Sequence, residues 1–283
     1  MRNNCSLESR KPKTHCTRPK NDQRNSCHGP GRLSIVSLGP GCRSFMIPAA
    51  LEALRSSEVV VGYKMYLDLI SDLMEGKQVI TSGMRKEIDR CRSAIGFAQS
   101  GRTVALVSSG DAGIYGMAGL VLDLCRDQNL GISGPANEIR EGADFSLEII
   151  PGVAAFNAAA SLTGAPLMHD FASVSLSDHL TPWEAIEKRL DAAASADFVI
   201  AIYNPRSKTR PHLLHEAQKI ILRHRSPNTP VAIIRRAMRE GELHRLTELN
   251  DIPFKQVDMQ TVLIVGNSNT YVWKGWMVTP RGY

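Results

Sequence analysis

No stretch of the 283-residue chain is apolar for long enough to cross a bilayer as a helix, which needs about 20 residues, and the start has no apolar secretory core. A reducing cytoplasm is the expected setting. Cysteine is sparse and scattered. The six, at 5, 16, 27, 42, 91 and 125, form no Cys-x-x-Cys pair and no zinc spacing, which excludes a disulfide scaffold and a zinc module. Cys27-His28 finds no partner at ligand distance in sequence, so no metal is expected. Tandem repeats are absent. A basic excess is also missing from most of the chain, although the formal net charge is +6. Residues 1–32 hold eight Arg and Lys against two acids, and the remaining 26 bases and 26 acids cancel. That distribution removes the main argument for a nucleic-acid partner. The arm 1–32, rich in Asn, Ser, Lys, Arg and Pro, buries too little apolar surface to fold and is expected to be disordered. Finally, the dinucleotide fingerprint fails. After Gly39-Pro40-Gly41 the third glycine would fall at Ser44, and Pro40 lacks an amide for phosphate. An NAD-dependent oxidoreductase is thereby disfavoured.

What remains is a βα alternation. Short β-branched apolar runs predict strands at 33–38, 59–62, 78–81, 103–107 and 147–150. Helices are expected from Pro48, over 63–74, over 84–100 with Ile88, Cys91, Ile95 and Ala98 inward, and after Asp111 with Ile114, Met117 and Val121 on one face. A small-residue helix follows Pro151 and runs to about Leu162. Gly164-Ala165-Pro166 then breaks the chain. Beyond it, strands are expected at 171–177, 198–203, 231–235 and 261–265. Thr181-Pro182-Trp183-Glu184 reads as a capping box opening a helix to about Ala194, with another helix over 211–224. The predicted fold class is α/β in two domains. Residues 33–165 form a parallel-sheet domain and 166–283 a mixed-sheet domain, with a cleft between them.

Four predicted strand ends stop in small or polar residues: Gly39-Pro40-Gly41, Ser109-Gly110-Asp111, Pro151-Gly152-Val153-Ala154-Ala155 and Tyr203-Asn204-Pro205. Such residues let backbone approach a ligand at the carboxyl edge of a sheet. Taken alone, Asp111 could equally meet a ligand hydroxyl or cap the helix after it. In order and spacing the four resemble the tetrapyrrole methyltransferase family over residues 33–283. Longer stretches carry the likeness further: His169-Asp170-Phe171, Ser175-Leu176-Ser177-Asp178, Tyr203-Asn204-Pro205-Arg206-Ser207 with Arg210, and the ending Val278-Thr279-Pro280-Arg281-Gly282-Tyr283.

The resemblance implies two α/β domains with S-adenosylmethionine held between them, a tetrapyrrole acceptor, a homodimer, and no membrane or nucleic-acid partner. It implies methylation at C17 with contraction of the ring in cobalamin synthesis, on precorrin-3B or, alternatively, on cobalt-factor III. Residue by residue, Ser109, Gly110, Asp111 and Ile114 would face the methionine or ribose of the cofactor. Ala154, Ala155, Tyr203, Asn204 and Ala237 would border its adenosine, and Pro40 the acceptor side. Asp178 and His179 are the candidates for handling a hydroxyl proton during contraction. Arg206, Ser207 and Arg210, with Lys208 among them, would receive substrate carboxylates, for which Arg offers a planar fork. The chain departs from the family where Ala112 follows Gly110-Asp111 in place of proline, and where Cys42 replaces an aspartate. It departs again at Ala154, in place of a hydroxyl residue, and at Arg236, in place of an asparagine. More distant readings are an RNA-directed methyltransferase, which would show a salt-dependent RNA shift, and a nucleotide-binding regulator that releases no S-adenosylhomocysteine.

Overall fold

A computed structural model describes residues 31–134, 142–207 and 209–283. The expectations for the basic arm up to residue 30, for Cys27-His28 and for Lys208 fall outside these residues.

The first half of the chain builds an all-parallel sheet from β1 (Gly31–Ser37), β2 (Val59–Tyr63), β3 (Gln78–Ser82), β4 (Thr103–Ser108), β5 (Ile132–Ser133) and β6 (Phe145–Ile150). Its order is β3-β2-β4-β1-β6-β5. Period-two alternation sends successive apolar residues to opposite faces. Leu33, Ile35, Val104 and Leu106 pack with α3 (Glu87–Gln99) and α4 (Ala118–Asp127). Val36, Leu38, Ala105 and Val107 pack on the other face with α1 (Pro48–Ser56) and α2 (Lys64–Asp68). Helices cover both faces of the central strands β1, β2 and β4, which are accordingly largely buried and mostly apolar. The helices after neighbouring strands β1 and β4 lie on opposite faces, which opens a crevice at the carboxyl ends of those strands.

A second, mixed sheet contains β8 (Phe171–Ser175), β9 (Val199–Tyr203), β10 (Pro230–Arg235), β11 (Leu243–Glu248) and β12 (Thr261–Val265), ordered β11-β10-β12-β9-β8. β8 and β9 are parallel, and the other pairs are antiparallel. α6 (Trp183–Ser195) and α7 (Leu213–Leu222) cover one face. The other face, formed by Val199, Ala232, Ile234, Val262 and Ile264, packs on α5 (Ala155–Thr163). Thus α5, inside the 33–165 segment, lies on the second sheet, and its alanines let it sit close. A small sheet joins β7 (Gly164–Ala165), β13 (Tyr271–Trp273) and β14 (Trp276–Val278). Lys274 (φ 48°) and Gly275 (φ 83°) form its tight two-residue turn.

Several expectations need correction. β1 starts at Gly31, two residues inside the expected arm, because Gly31 and Arg32 pair with Phe145 and Thr103. The helix expected over 63–74 stops at Asp68 and continues as turns. Ile88 is 49% exposed, whereas Cys91, Ile95 and Ala98 face the core. α4 begins at Ala118, seven residues after Asp111, because Tyr115 takes a left-handed backbone (φ 53°) that no α-helix accommodates. At α6 the N-cap is Pro182 with no side-chain cap bond, so the capping box is not formed. β11, β13 and β14 were not foreseen. Among the described residues no helix is long and apolar enough to cross a membrane.

Candidate active-site cleft

Three loops at the carboxyl edge of the parallel sheet are held together by main-chain bonds, main-chain to side-chain bonds and close backbone packing. Gly39 and Gly110 exchange hydrogen bonds, the Gly39 amide to the Gly110 carbonyl at 3.0 Å and the reverse at 2.7 Å. The Ala112 amide donates to the Ser37 hydroxyl at 2.9 Å. Gly152, in the loop after β6, sits so close that an added Cβ would lie 2.7 Å from the Ser37 Cβ and 2.8 Å from the Gly110 carbonyl oxygen. Only glycine fits there. Gly110 in turn needs its left-handed φ of 66° to reverse the chain.

Asp111 binds these loops to one another. One carboxylate oxygen accepts the Gly113 amide at 2.8 Å and the other the Gly152 amide at 3.0 Å. It does not cap α4. A carboxylate has about four lone-pair positions, so each oxygen keeps capacity for a ligand donor while it braces the edge.

The second sheet supplies the opposite wall. The Tyr203 hydroxyl accepts the Phe156 amide at 3.0 Å. It satisfies an orphan donor in the first turn of α5, whose N-cap Ala154 has no side chain able to do so. Burial pushes the Tyr203 phenol up to about 12, so it stays protonated at neutral pH. Its ring lies 5.0 Å from that of Tyr115, and Tyr115 donates to the Ser173 carbonyl at 3.0 Å. Asn204 donates to the Ser175 hydroxyl at 2.9 Å. Arg239, on the loop after β10, reaches across the cleft and donates to the Pro40 carbonyl and the Ser109 hydroxyl. Burial lowers its basicity.

The enclosed space is about 240 Å³. Of the expected cofactor set, Pro40, Ser109, Gly110, Asp111, Ile114, Ala155, Tyr203, Asn204 and Ala237 line it; Ala154 is buried behind the wall. Arg236, noted above as a departure from the family, lines it as well, and Met65, Tyr66, Tyr115, Arg239 and Gln260 line it too and were not anticipated. Three of these lining residues, Tyr115, Asn204 and Arg236, hold left-handed backbone (φ 53°, 51° and 52°). Strain of that kind costs about 1–3 kcal/mol each and gathers at functional sites. A groove of about 630 Å³ along α1, lined by Pro48, Leu51, Glu52, Arg55 and Ser56, lies on one helix face and brings no polar groups together from separate elements.

Asp178, His179, Arg206, Ser207 and Arg210 do not line the cleft. Arg210 donates to Asp178 at 2.5 Å, to Ser177 at 3.1 Å and to Ser207 at 3.3 Å, tying the turn after β8 to the turn after β9. Its hydrogen bond holds the Asp178 carboxyl below the usual range, so Asp178 is ionised at neutral pH. His179 is exposed. Arg206 reaches the Val257 carbonyl at 3.4 Å. Among the described residues no group of three His, Cys, Asp or Glu is placed to hold a metal.

Residues 32–253 match the family of Tetrapyrrole (Corrin/Porphyrin) Methylases. A Salmonella typhimurium protein described as "Probable cobalt-factor III C(17)-methyltransferase" is 51% identical over 251 residues, covering 89% of this chain and 99% of that protein. A Priestia megaterium protein described as "Cobalt-factor III methyltransferase" is 45% identical over 253 residues, 89% of this chain but 45% of that protein. The chain therefore spans about half the length of the second relative. The crystal structure of the methyltransferase CobJ aligns with a TM-score of 0.81 at 36% identity, covering 88% of this chain and 100% of that one.

Proposed function

Since the chain belongs to the tetrapyrrole (corrin/porphyrin) methylase family, we propose that its cleft binds S-adenosylmethionine beside a corrin precursor and methylates C17 with ring contraction, in cobalamin synthesis. The carrying observation is that the knitted edge of the parallel sheet and the Tyr203-Asn204 wall converge on one cleft. The residues present fit the donor. Ala155, Ala158, Ile234, Ala237 and Val262 give an apolar bed for an adenine, with Tyr115 and Tyr203 as ring neighbours. Asp111 keeps acceptor capacity for a ribose hydroxyl or an ammonium.

The donor supplies a methyl group on a sulfonium. The chain's own task is alignment. Fixed loops around Ser109 and Gly110 would hold the donor in line with a ring carbon on the Pro40 side, and positioning of this sort contributes about 7–11 kcal/mol. The apolar bed excludes water. Asp178 and Arg210 stand outside the cleft lining, where their pair holds two turns together, and we assign Arg206 and Ser207 to the outer carboxylates of the acceptor.

For the acceptor we favour cobalt-factor III, named for both relatives above, over metal-free precorrin-3B, which the motifs suggest equally well. Operation in the cytoplasm and as a homodimer completes the proposal. The exposed hairpin residues Tyr271, Trp273 and Trp276 offer a self-association surface. Mass spectrometry of product from purified protein, S-adenosylmethionine and each acceptor tests the reading. One added methyl on the cobalt-loaded ring, with release of S-adenosylhomocysteine, is expected; no methylation of either ring overturns it.

A further inference from the structure

Arg239 carries a charge that the described protein does not balance. Its two hydrogen-bond partners, the Pro40 carbonyl and the Ser109 hydroxyl, are both neutral. Neighbouring arginines differ. Arg235 pairs with Asp258 at 2.8 Å and Arg210 with Asp178 at 2.5 Å, while Arg236 donates to the Gln260 side-chain oxygen at 2.6 Å. No carboxylate among the described residues forms an ion pair with Arg239, and the charged group beside it is Arg236, which raises the local positive potential. A half-buried cation without a counter-charge is costly unless a ligand supplies one. Five donors are available on a guanidinium, and the protein engages two of its nitrogens.

Place matters as much as charge. Arg239 follows Arg236 (φ 52°) and Met238 (φ 56°), both left-handed, so the loop holds the side chain over the cleft at a conformational cost. The bridge also narrows the space. At about 240 Å³ the cleft is below the roughly 300–1,000 Å³ usual for small-molecule sites.

We infer that Arg239 is the receptor for a ligand carboxylate, which takes the guanidinium in exchange for Pro40 and Ser109. The inference rests on the methyltransferase reading, under which two sources carry that chemistry: a peripheral carboxylate of the tetrapyrrole, or the amino-acid carboxylate of the methyl donor. It differs from the motif-based assignment, since Arg210 is already satisfied by Asp178.

Full-length protein is compared with Arg239→Gln, Arg239→Lys and, as a charge control outside the cleft, Arg55→Gln. Calorimetry uses S-adenosylhomocysteine and 5′-methylthioadenosine, which lacks the carboxylate. Fluorescence titration uses uroporphyrin III, an octacarboxylate tetrapyrrole. Wild-type protein that binds none of these probes removes the methyltransferase reading itself, independently of Arg239. Given wild-type binding, Arg239→Gln should weaken one carboxylate ligand by roughly ten- to a hundredfold, the range of charge-assisted bonds. Arg239→Lys should recover part of it. Loss for uroporphyrin III alone assigns the acceptor carboxylate. Loss for S-adenosylhomocysteine with 5′-methylthioadenosine unchanged assigns the donor carboxylate. Equal loss for both nucleosides, equal loss in Arg55→Gln, or a lowered Tm with all affinities kept would each overturn the inference and leave Arg239 a strut between the two sheets.

Discussion

The two sheets contribute to the cleft in different currencies. The parallel sheet offers backbone: Gly39, Gly110 and Gly152 lie against one another through amides and carbonyls, and Asp111 braces them. The mixed sheet offers side chains: Tyr203, Asn204, Arg236, Arg239 and Gln260 reach in from strand ends and loops. Backbone walls tolerate few substitutions, because every atom is already in contact. Side-chain walls can be altered one group at a time. Substitutions on the first wall should therefore damage fold and binding together, and those on the second should separate them.

The largest effect is expected for Gly152→Ala. Its new methyl would meet the Gly110 carbonyl and Ser37, neither of which can move without opening the edge. Overpacking of this kind costs about 1–3 kcal/mol or more. Thermal unfolding should show a Tm lower by about 5–10 °C, with S-adenosylhomocysteine binding lost in calorimetry. An unchanged Tm would break the contrast.

Asp111→Asn comes next. The amide keeps shape but turns one acceptor into a donor facing a backbone N–H, a loss of about 1–3 kcal/mol. Both Tm and cofactor affinity should fall. A fall in affinity alone would show that the brace is unimportant and that the carboxylate serves the ligand only.

On the other wall, Tyr203→Phe keeps the ring against Tyr115 and removes the acceptor for the Phe156 amide. About 1 kcal/mol is at stake, read as a small drop in Tm with cofactor affinity changed less than fivefold.

The smallest effect belongs to Arg210→Gln. An exposed pair contributes about 1 kcal/mol at most. Arg210 lowers the Asp178 carboxyl below its unfolded value, so the stabilisation is present above the unfolded pKa, about 3.9, and fades as pH falls through the folded one. The Tm gap between wild type and variant should thus be open at pH 7 and closed in strong acid. A gap that widened on acidification would reverse the assignment.

The sequence showed those elements whose burial is complete. β1, β2, β4, β9, β10 and β12 read as apolar runs because both of their faces are covered. It concealed β11, whose residues Leu243–Glu248 are mostly polar and lie at a sheet edge. It also misplaced α4, since Ile114, Met117 and Val121 keep helical spacing although the chain between Asp111 and Ala118 is a turn around Tyr115. The glycine-bearing strand ends were visible from local chemistry alone. Arg239 was not, because its meaning comes from Pro40 and Ser109, residues 199 and 130 positions away. Asp178 was singled out for proton handling and Arg210 for substrate carboxylates, and their pairing with each other, between residues 32 positions apart, was not legible in the sequence.

The position of α5 bears on how such a chain could be recombined. The helix follows β6 of the first sheet, yet it covers Val199, Ala232, Ile234, Val262 and Ile264 of the second. A hybrid protein joined at the Gly164-Ala165 break would graft a foreign cover onto a native sheet, or leave five apolar side chains facing a poorly matched helix. A junction within residues 151–154 instead carries the helix with the sheet that it shields. The interchangeable unit therefore begins before Ala155, some ten residues ahead of the break that the sequence displays.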